Sequence, residues 1–202
     1  MKPLQLSEIW IYPVKSMGGI RLSSSRVLPK GLKFDRRWML VNEHDTCITQ
    51  RDYPQMALFK LSTDGNQVKI GCKQNLITVP LDDHDAKPVR ATIWNDTVVI
   101  HEVSKDHSEW FSEMLGMKCR LVYFPEEHER PVEEPYRVNN DHVSLADAYP
   151  FLIIGQSSLD DLNARLESPV PMNRFRPNFV FTGGKPFEED GWKKFTIGNS
   201  SF

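Results

Sequence analysis

No stretch of this sequence is apolar for long enough to cross a bilayer. The longest uninterrupted patch, Phe151 to Ile154, falls far short of the roughly 20 residues a spanning helix needs. The start, MKPLQLSEIW, lacks the apolar region and small-residue cleavage site of a secretory signal. Cysteine is scarce: Cys47, Cys72 and Cys119 form an odd set without close spacing, each among apolar or strand-like neighbours. That pattern suits buried reduced thiols and a cytoplasmic setting, and it offers no disulfide framework. Charge of one sign is also lacking, since 25 basic residues face 27 acidic ones for a net charge of -2. No global basic field therefore invites nucleic acid or an anionic membrane, and any anion site has to be local. The six histidines (His44, His84, His101, His107, His128 and His142) are dispersed, with no HExxH and no Cys/His pair at zinc spacing. This leaves no expected metal site of that kind. The chain has no GxSxG elbow, no P-loop and no GxGxxG, so local support for an α/β hydrolase, a P-loop NTPase or a Rossmann enzyme is missing.

What is present is an ordinary globular balance: 202 residues, 40% hydrophobic and 26% charged. That excludes disorder, collagen and coiled coil and leaves room for one domain or two small ones. Short β-branched and aromatic runs crowd the first half, at Ile9 to Tyr12, Trp38 to Val41, Cys47 to Thr49, Leu58 to Leu61, Val68 to Ile70, Leu76 to Val79, Val89 to Trp94 and Val98 to Ile100. Turn signals such as Asp64-Gly65-Asn66 and Asn95-Asp96 separate them, a spacing that predicts a barrel or sandwich.

Asp106 followed by Glu109 reads as a capping box, and Trp110, Phe111, Met114 and Leu115 then recur at helical spacing up to Gly116. A strand over Cys119 to Phe124 leads into an acidic, proline-punctuated loop, Glu126 to Pro135, whose charge is expected to be solvated. A buried strand at Phe151 to Ile154 precedes a second helix, with Ser157 as its N-cap and Leu159, Leu162 and Leu166 on one face. Phe179 to Phe181 and Trp192 to Ile197 are the last expected strands. Residues 1–40 hold eight basic and two acidic residues, whereas residues 101–150 hold five basic and eleven acidic. One half is thus suited to an anion pocket and the other to its complement.

Three segments carry the candidate chemistry. Tyr12-Pro13-Val14-Lys15-Ser16 sets an ammonium beside a hydroxyl at a strand end, with Gly18-Gly19 freeing the backbone to approach a ligand. A solvated turn lysine is the plain alternative. Asp35-Arg36-Arg37-Trp38 sends two guanidinium groups to opposite faces if the segment is extended, one of them held by Asp35. An exposed strand-edge pair fits equally. In Asn173-Arg174-Phe175-Arg176-Pro177-Asn178, Arg174 and Arg176 share one side of an extended segment, Pro177 holds Arg176 extended, and Asn178 adds an amide. Such an array suits a phosphate or a planar heterocycle, or else ties down a loop by a carboxylate pair.

Taken together, Ile11-Tyr12-Pro13-Val14-Lys15-Ser16, Gly31 to Trp38, Asp147 to Leu152, Ser158-Leu159-Asp160-Asp161-Leu162-Asn163, Phe175-Arg176-Pro177-Asn178 and Glu189-Asp190-Gly191-Trp192 resemble the MOSC-domain molybdenum cofactor proteins. The similar branch carries an N-terminal β-barrel domain and includes the mitochondrial amidoxime reducing component and its bacterial relatives. The resemblance implies a mainly β (α+β) protein. A MOSC N-terminal β-barrel-like domain over 1–122 would precede an incomplete MOSC β-barrel domain with a few helices over 123–202. It implies a molybdenum cofactor (molybdopterin) site lined by Lys15, Ser16, Arg36, Ala148, Tyr149, Arg176 and Asn178. It also implies reduction of a small-molecule N-hydroxylated substrate with electrons from a donor protein or reductase, and no nucleic-acid or membrane partner.

The family's molybdenum-ligating cysteine belongs to a Cys-Ser-Arg-Cys-like segment downstream of Trp192 to Ile197. The sequence stops at Phe202, so the resemblance implies a shortened protein without its metal ligand. Two other expectations stand beside it: a non-catalytic β-barrel carrier or interaction module, and a pyridoxal-phosphate protein with Lys15 as the Schiff base.

Overall fold

A computed structural model describes residues 3–81 and 88–202; Lys2 and His84 lie outside the described residues. The chain opens with β1 (Gln5–Ile11), β2 (Ile20–Leu22), a ribbon of β3 (Val27–Leu28) and β4 (Gly31–Leu32), and β5 (Trp38–Val41). A meander follows as β6 (Lys60–Thr63), β7 (Gln67–Cys72) and β8 (Asn75–Pro80), then the hairpin β9 (Pro88–Ile93) and β10 (Asp96–Glu102). Next come α1 (Lys105–Leu115) and β11 (Arg120–Tyr123). The remainder supplies β12 (Ile153–Gly155), α2 (Gln156–Asn163), β13 (Phe179–Thr182) and a terminal ribbon, β14 (Thr196–Ile197) with β15 (Ser200–Ser201).

The protein is mainly β with two helices. Two four-stranded sheets, β12-β13-β1-β2 and β5-β11-β10-β9, accompany the three-stranded meander β6-β7-β8. β5 explains how they share a core. Its four residues are all buried, because alternate side chains enter different clusters. Trp38 and Leu40 join Val14, Met17, Phe59 and Phe111, whereas Met39 and Val41 join Ile93, Ile100, Val122 and Leu145. The first sheet gathers both ends of the sequence: β1 pairs antiparallel with β13, Gln5 facing Thr182. β12 and β13 are parallel, which requires a crossover, and the segment carrying α2 provides it.

Several local expectations change. Ser104, not Asp106, caps α1, its hydroxyl accepting from the His107 amide at 3.2 Å, while Gly116 closes the helix in the left-handed region. Gly155 rather than Ser157 precedes α2, which ends before Leu166. Cys47 makes a single isolated bridge to Val41, and no strand forms over Cys47 to Thr49. The expected strand over Trp192 to Ile197 shrinks to β14, with irregular chain between it and a 3₁₀ turn over Glu188–Gly191. The glycines after Ser16 face the protein rather than a ligand: a Cβ on Gly18 would meet the Phe59 carbonyl at 2.6 Å, and one on Gly19 the Tyr12 ring at 2.6 Å.

Candidate functional site

The chain leaves β1 at Tyr12, which is 1% exposed, and the site grows around that ring. The Tyr12 amide donates to Asp35 Oδ1 at 2.7 Å, and its hydroxyl donates to the Pro177 carbonyl at 3.2 Å. Two guanidinium groups stack on the ring, Arg36 at 4.8 Å and Arg176 at 4.2 Å. Burial pushes the phenol up to about 12 against the pull of these arginines. Arg176 is pushed down to about 10 by burial and by Arg36, so it is fully charged at neutral pH.

Arg36 ties the site together. Its guanidinium donates to the buried Asp35 carboxylate, to Asn178 Oδ1 at 3.2 Å and to the Arg176 carbonyl at 3.1 Å. Its backbone carbonyl accepts from the Leu145 amide at 3.0 Å. Asn178 is a buried clasp, its amide donating to the Trp10 carbonyl at 3.2 Å and its oxygen accepting from the Leu152 amide at 3.2 Å.

Lys15, Ser16, Arg36, Ala148, Tyr149, Arg176 and Asn178 all line one cleft of about 390 Å³, within the usual range for a small-molecule site. Arg174, by contrast, is exposed. The extended geometry expected for both arginine segments does not form: Arg36 has φ 51° and Arg176 φ 59°. Tertiary hydrogen bonds override the local preference that Pro177 imposes. Ser16 (φ 68°) and Trp94 (φ 53°) are also left-handed, so four of the eight described non-glycine residues of this kind line the cleft. Such conformations cost free energy and cluster at functional sites.

Sequence reasoning missed the rim. Arg51 stacks on Trp94 at 4.9 Å, Lys15 lies 5.3 Å from the same ring, and Asp147 accepts from Lys15 Nζ at 2.5 Å and from Trp94 Nε1 at 3.2 Å. Trp94 reads as the end of a strand in the sequence, yet it turns the β9–β10 hairpin, and the adjacent Asn95-Asp96 was the available signal. Burial lowers the Lys15 pKa below the ordinary lysine range despite Asp147. Burial opposes the Asp147 carboxylate too, but Lys15, then Arg51 and Trp94, outweigh it and hold its pKa low. The asymmetry follows from position, since the Lys15 side chain is 7% exposed and that of Asp147 58%.

The acidic loop is more than solvated surface. Glu126 accepts from the buried Arg37 at 2.7 Å and pairs with the buried Lys30 at 3.3 Å. The basic first segment and the acidic middle segment therefore clasp each other directly. Burial opposes the charged Glu126, but Arg37 and then Lys30 overcome it and hold its carboxyl below the ordinary glutamate range. A carboxyl with a depressed folded pKa contributes stability above its unfolded pKa and loses it as pH falls through the folded value. Thermal unfolding followed against pH should lose stability below about pH 4.5, and Glu126→Gln should flatten that decline. An unchanged acid limb in the variant would assign the decline to other carboxyls.

A mainly β fold thus brings three cations from segments far apart in sequence, Lys15, Arg36 and Arg176, to one cleft. The MOSC N-terminal beta barrel domain matches residues 4–118 and the MOSC domain residues 140–202; the chain belongs to this family. It is 31% identical over 206 residues to mitochondrial amidoxime-reducing component 1 of Mus musculus, covering 96% of this chain and 60% of that protein. The Homo sapiens counterpart is 30% identical with the same coverage. Molybdenum cofactor sulfurase of Danio rerio is 29% identical over 218 residues, covering 98% of this chain and 26% of that protein. The chain thus spans about 60% of the length of the amidoxime-reducing relatives. Among the described residues no helix is long and apolar enough to cross a membrane.

Proposed function

We propose that the cleft binds the molybdenum cofactor through its phosphate and pterin, and that the chain serves a cytoplasmic oxidoreductase reducing N-hydroxylated small molecules with electrons from a donor protein. The observation that carries this reading is the convergence of Lys15, Arg36 and Arg176 on one cleft, with both guanidinium groups ordered on Tyr12. The donor set fits. Ammonium and guanidinium groups suit a phosphate, the Ser16 hydroxyl can donate or accept, and the exposed Tyr149 and Phe175 rings offer faces to a flat heterocycle. When bound, the cofactor supplies two-electron oxygen-transfer chemistry, while the protein supplies binding, orientation and access.

Within that division, Arg36 and Arg176 fix the anionic end, their positions set by the Asp35, Asn178 and Met17 contacts. Lys15 adds a third cation to the same cleft. None of the three cysteines lines the cleft. Burial pushes the thiol of Cys47, which couples electrostatically to Lys15, up to about 11, so it stays protonated and is a poor metal ligand. Lys15 Nζ donates to the Leu145 carbonyl and to Asp147, a setting for holding an anion rather than for a Schiff base. Protein produced in a cofactor-synthesising host should release fluorescent pterin on acid oxidation, and the paired variant Lys15→Ala/Arg176→Ala should release little. Wild-type protein that yields none, even after incubation with isolated cofactor, removes the reading.

A further inference from the structure

Resting on the reading of the cleft as an anion site, we propose that Asp147 is its resident anion, a carboxylate that occupies Lys15 and the rim until a ligand dianion displaces it. Three donors from separate parts of the chain converge on this one side chain. Lys15 Nζ reaches Oδ1 at 2.5 Å, Trp94 Nε1 reaches Oδ1 at 3.2 Å and Arg51 Nη2 reaches Oδ2 at 3.5 Å. Lys15 spends its other bond on the Leu145 carbonyl at 2.8 Å. An incoming anion therefore meets a cation whose charge is already matched.

The surroundings fix how Asp147 can leave. Arg130, itself buried, donates to the Ser144 and Ala146 carbonyls at 2.8 Å each and pairs with Asp96 at 2.7 Å. Downstream, Leu152 is held to Asn178 through both its amide and its carbonyl. The backbone up to Asp147 is pinned, while its side chain is 58% exposed. Displacement is a rotation of the side chain toward water, not a movement of the loop. Arg51, whose side chain is 69% exposed, can follow either the carboxylate or the new anion.

This arrangement sets specificity. A monoanion such as acetate or chloride gains nothing over the carboxylate it replaces, whereas a phosphate dianion brings a second charge to Lys15 and Arg51. Asp147 is 58% exposed at its side chain, so solvent screens its pairing with the buried Lys15 and keeps the contribution modest. The lock thus tunes affinity by a modest factor and rejects small monoanions without closing the cleft.

The test titrates inorganic phosphate into the full chain, reading affinity by calorimetry and the Trp94 contribution to fluorescence as the difference between parallel titrations with and without Trp94→Phe. Wild-type protein should show a Trp94-dependent change as Nε1 loses its acceptor. Asp147→Ala should bind phosphate about three- to fivefold more tightly and show no such change. Asp52→Asn, which removes the same charge from the neighbouring turn, should leave affinity within about twofold. Equal tightening in Asp147→Ala and Asp52→Asn, or an Asp147→Ala that binds no better than wild type, overturns the lock and leaves the anion site standing. If neither wild type nor Asp147→Ala binds phosphate, the anion site itself falls and the lock with it.

Discussion

Asp35→Ala should lower stability by about 3–5 kcal/mol, the usual result of removing one partner from a buried ion pair. Asp35 is 1% exposed and answers both the Tyr12 amide and the Arg36 guanidinium. Without it the amide has no acceptor and Arg36, only 13% exposed at its side chain, is a cation held partly out of water. Urea unfolding measures this: with a slope of roughly 2–3 kcal/mol per molar, the midpoint should fall by more than about 1 M. A loss under about 1 kcal/mol would mean that water reaches the pair and that the site's architecture does not depend on it. The double variant Asp35→Leu/Arg36→Met separates fold from function. Apolar replacement of both partners is often neutral, so much of the stability should return, while phosphate binding should not.

The second large effect concerns affinity. Arg176→Ala removes a half-buried guanidinium that stacks on Tyr12 at 4.2 Å and donates to the Met17 carbonyl. A hydrogen bond to a charged group contributes about 1.5–3 kcal/mol, so phosphate should bind roughly 10- to 100-fold more weakly. Lys15→Ala should weaken binding in the same direction, with the fold intact in both. Arg176→Lys is the informative companion, because an ammonium keeps the charge but loses the planar stack and the fork of donors. It should recover only part of the loss. Full recovery by lysine would show that charge alone matters there, and unchanged affinity in both alanine variants would remove the site.

Much of the site was legible because its residues sit in compact motifs. Lys15-Ser16, Arg36 and Arg176 with Asn178 stand out as motifs, Ala148 and Tyr149 come only through the family resemblance, and all line the same cleft. The two-faced burial of β5 was visible as an unbroken apolar run, Trp38 to Val41. What escaped was anything set by a distant partner. Local rules made Arg36 and Arg176 extended, but both are left-handed: the Arg36 backbone bonds to Tyr12 and Leu145, and the Arg176 carbonyl accepts from the Arg36 guanidinium. Glu126 looked solvated until Arg37 and Lys30 were found beneath it. Arg51, Trp94 and Asp147 come together only because a turn, a hairpin and a late loop meet in space, which no spacing along the chain encodes.

The pairing of β1 with β13 also imposes an order in time. During synthesis β1 is made well before β13 and can take β2 as a partner at once, but its other edge waits for Phe179–Thr182. At typical elongation rates that interval is on the order of 10–30 s, and closing so long a loop is intrinsically slow. The irregular register between Leu6 and Glu8 and the charge of Glu8 guard the waiting edge against other strands. Asn178, whose backbone carbonyl accepts from the Trp10 amide at 2.8 Å, arrives with the same late segment. The cleft thus cannot exist before Phe179–Thr182 has been made, and a nascent chain has no place to load an anion until β1 has found its second neighbour.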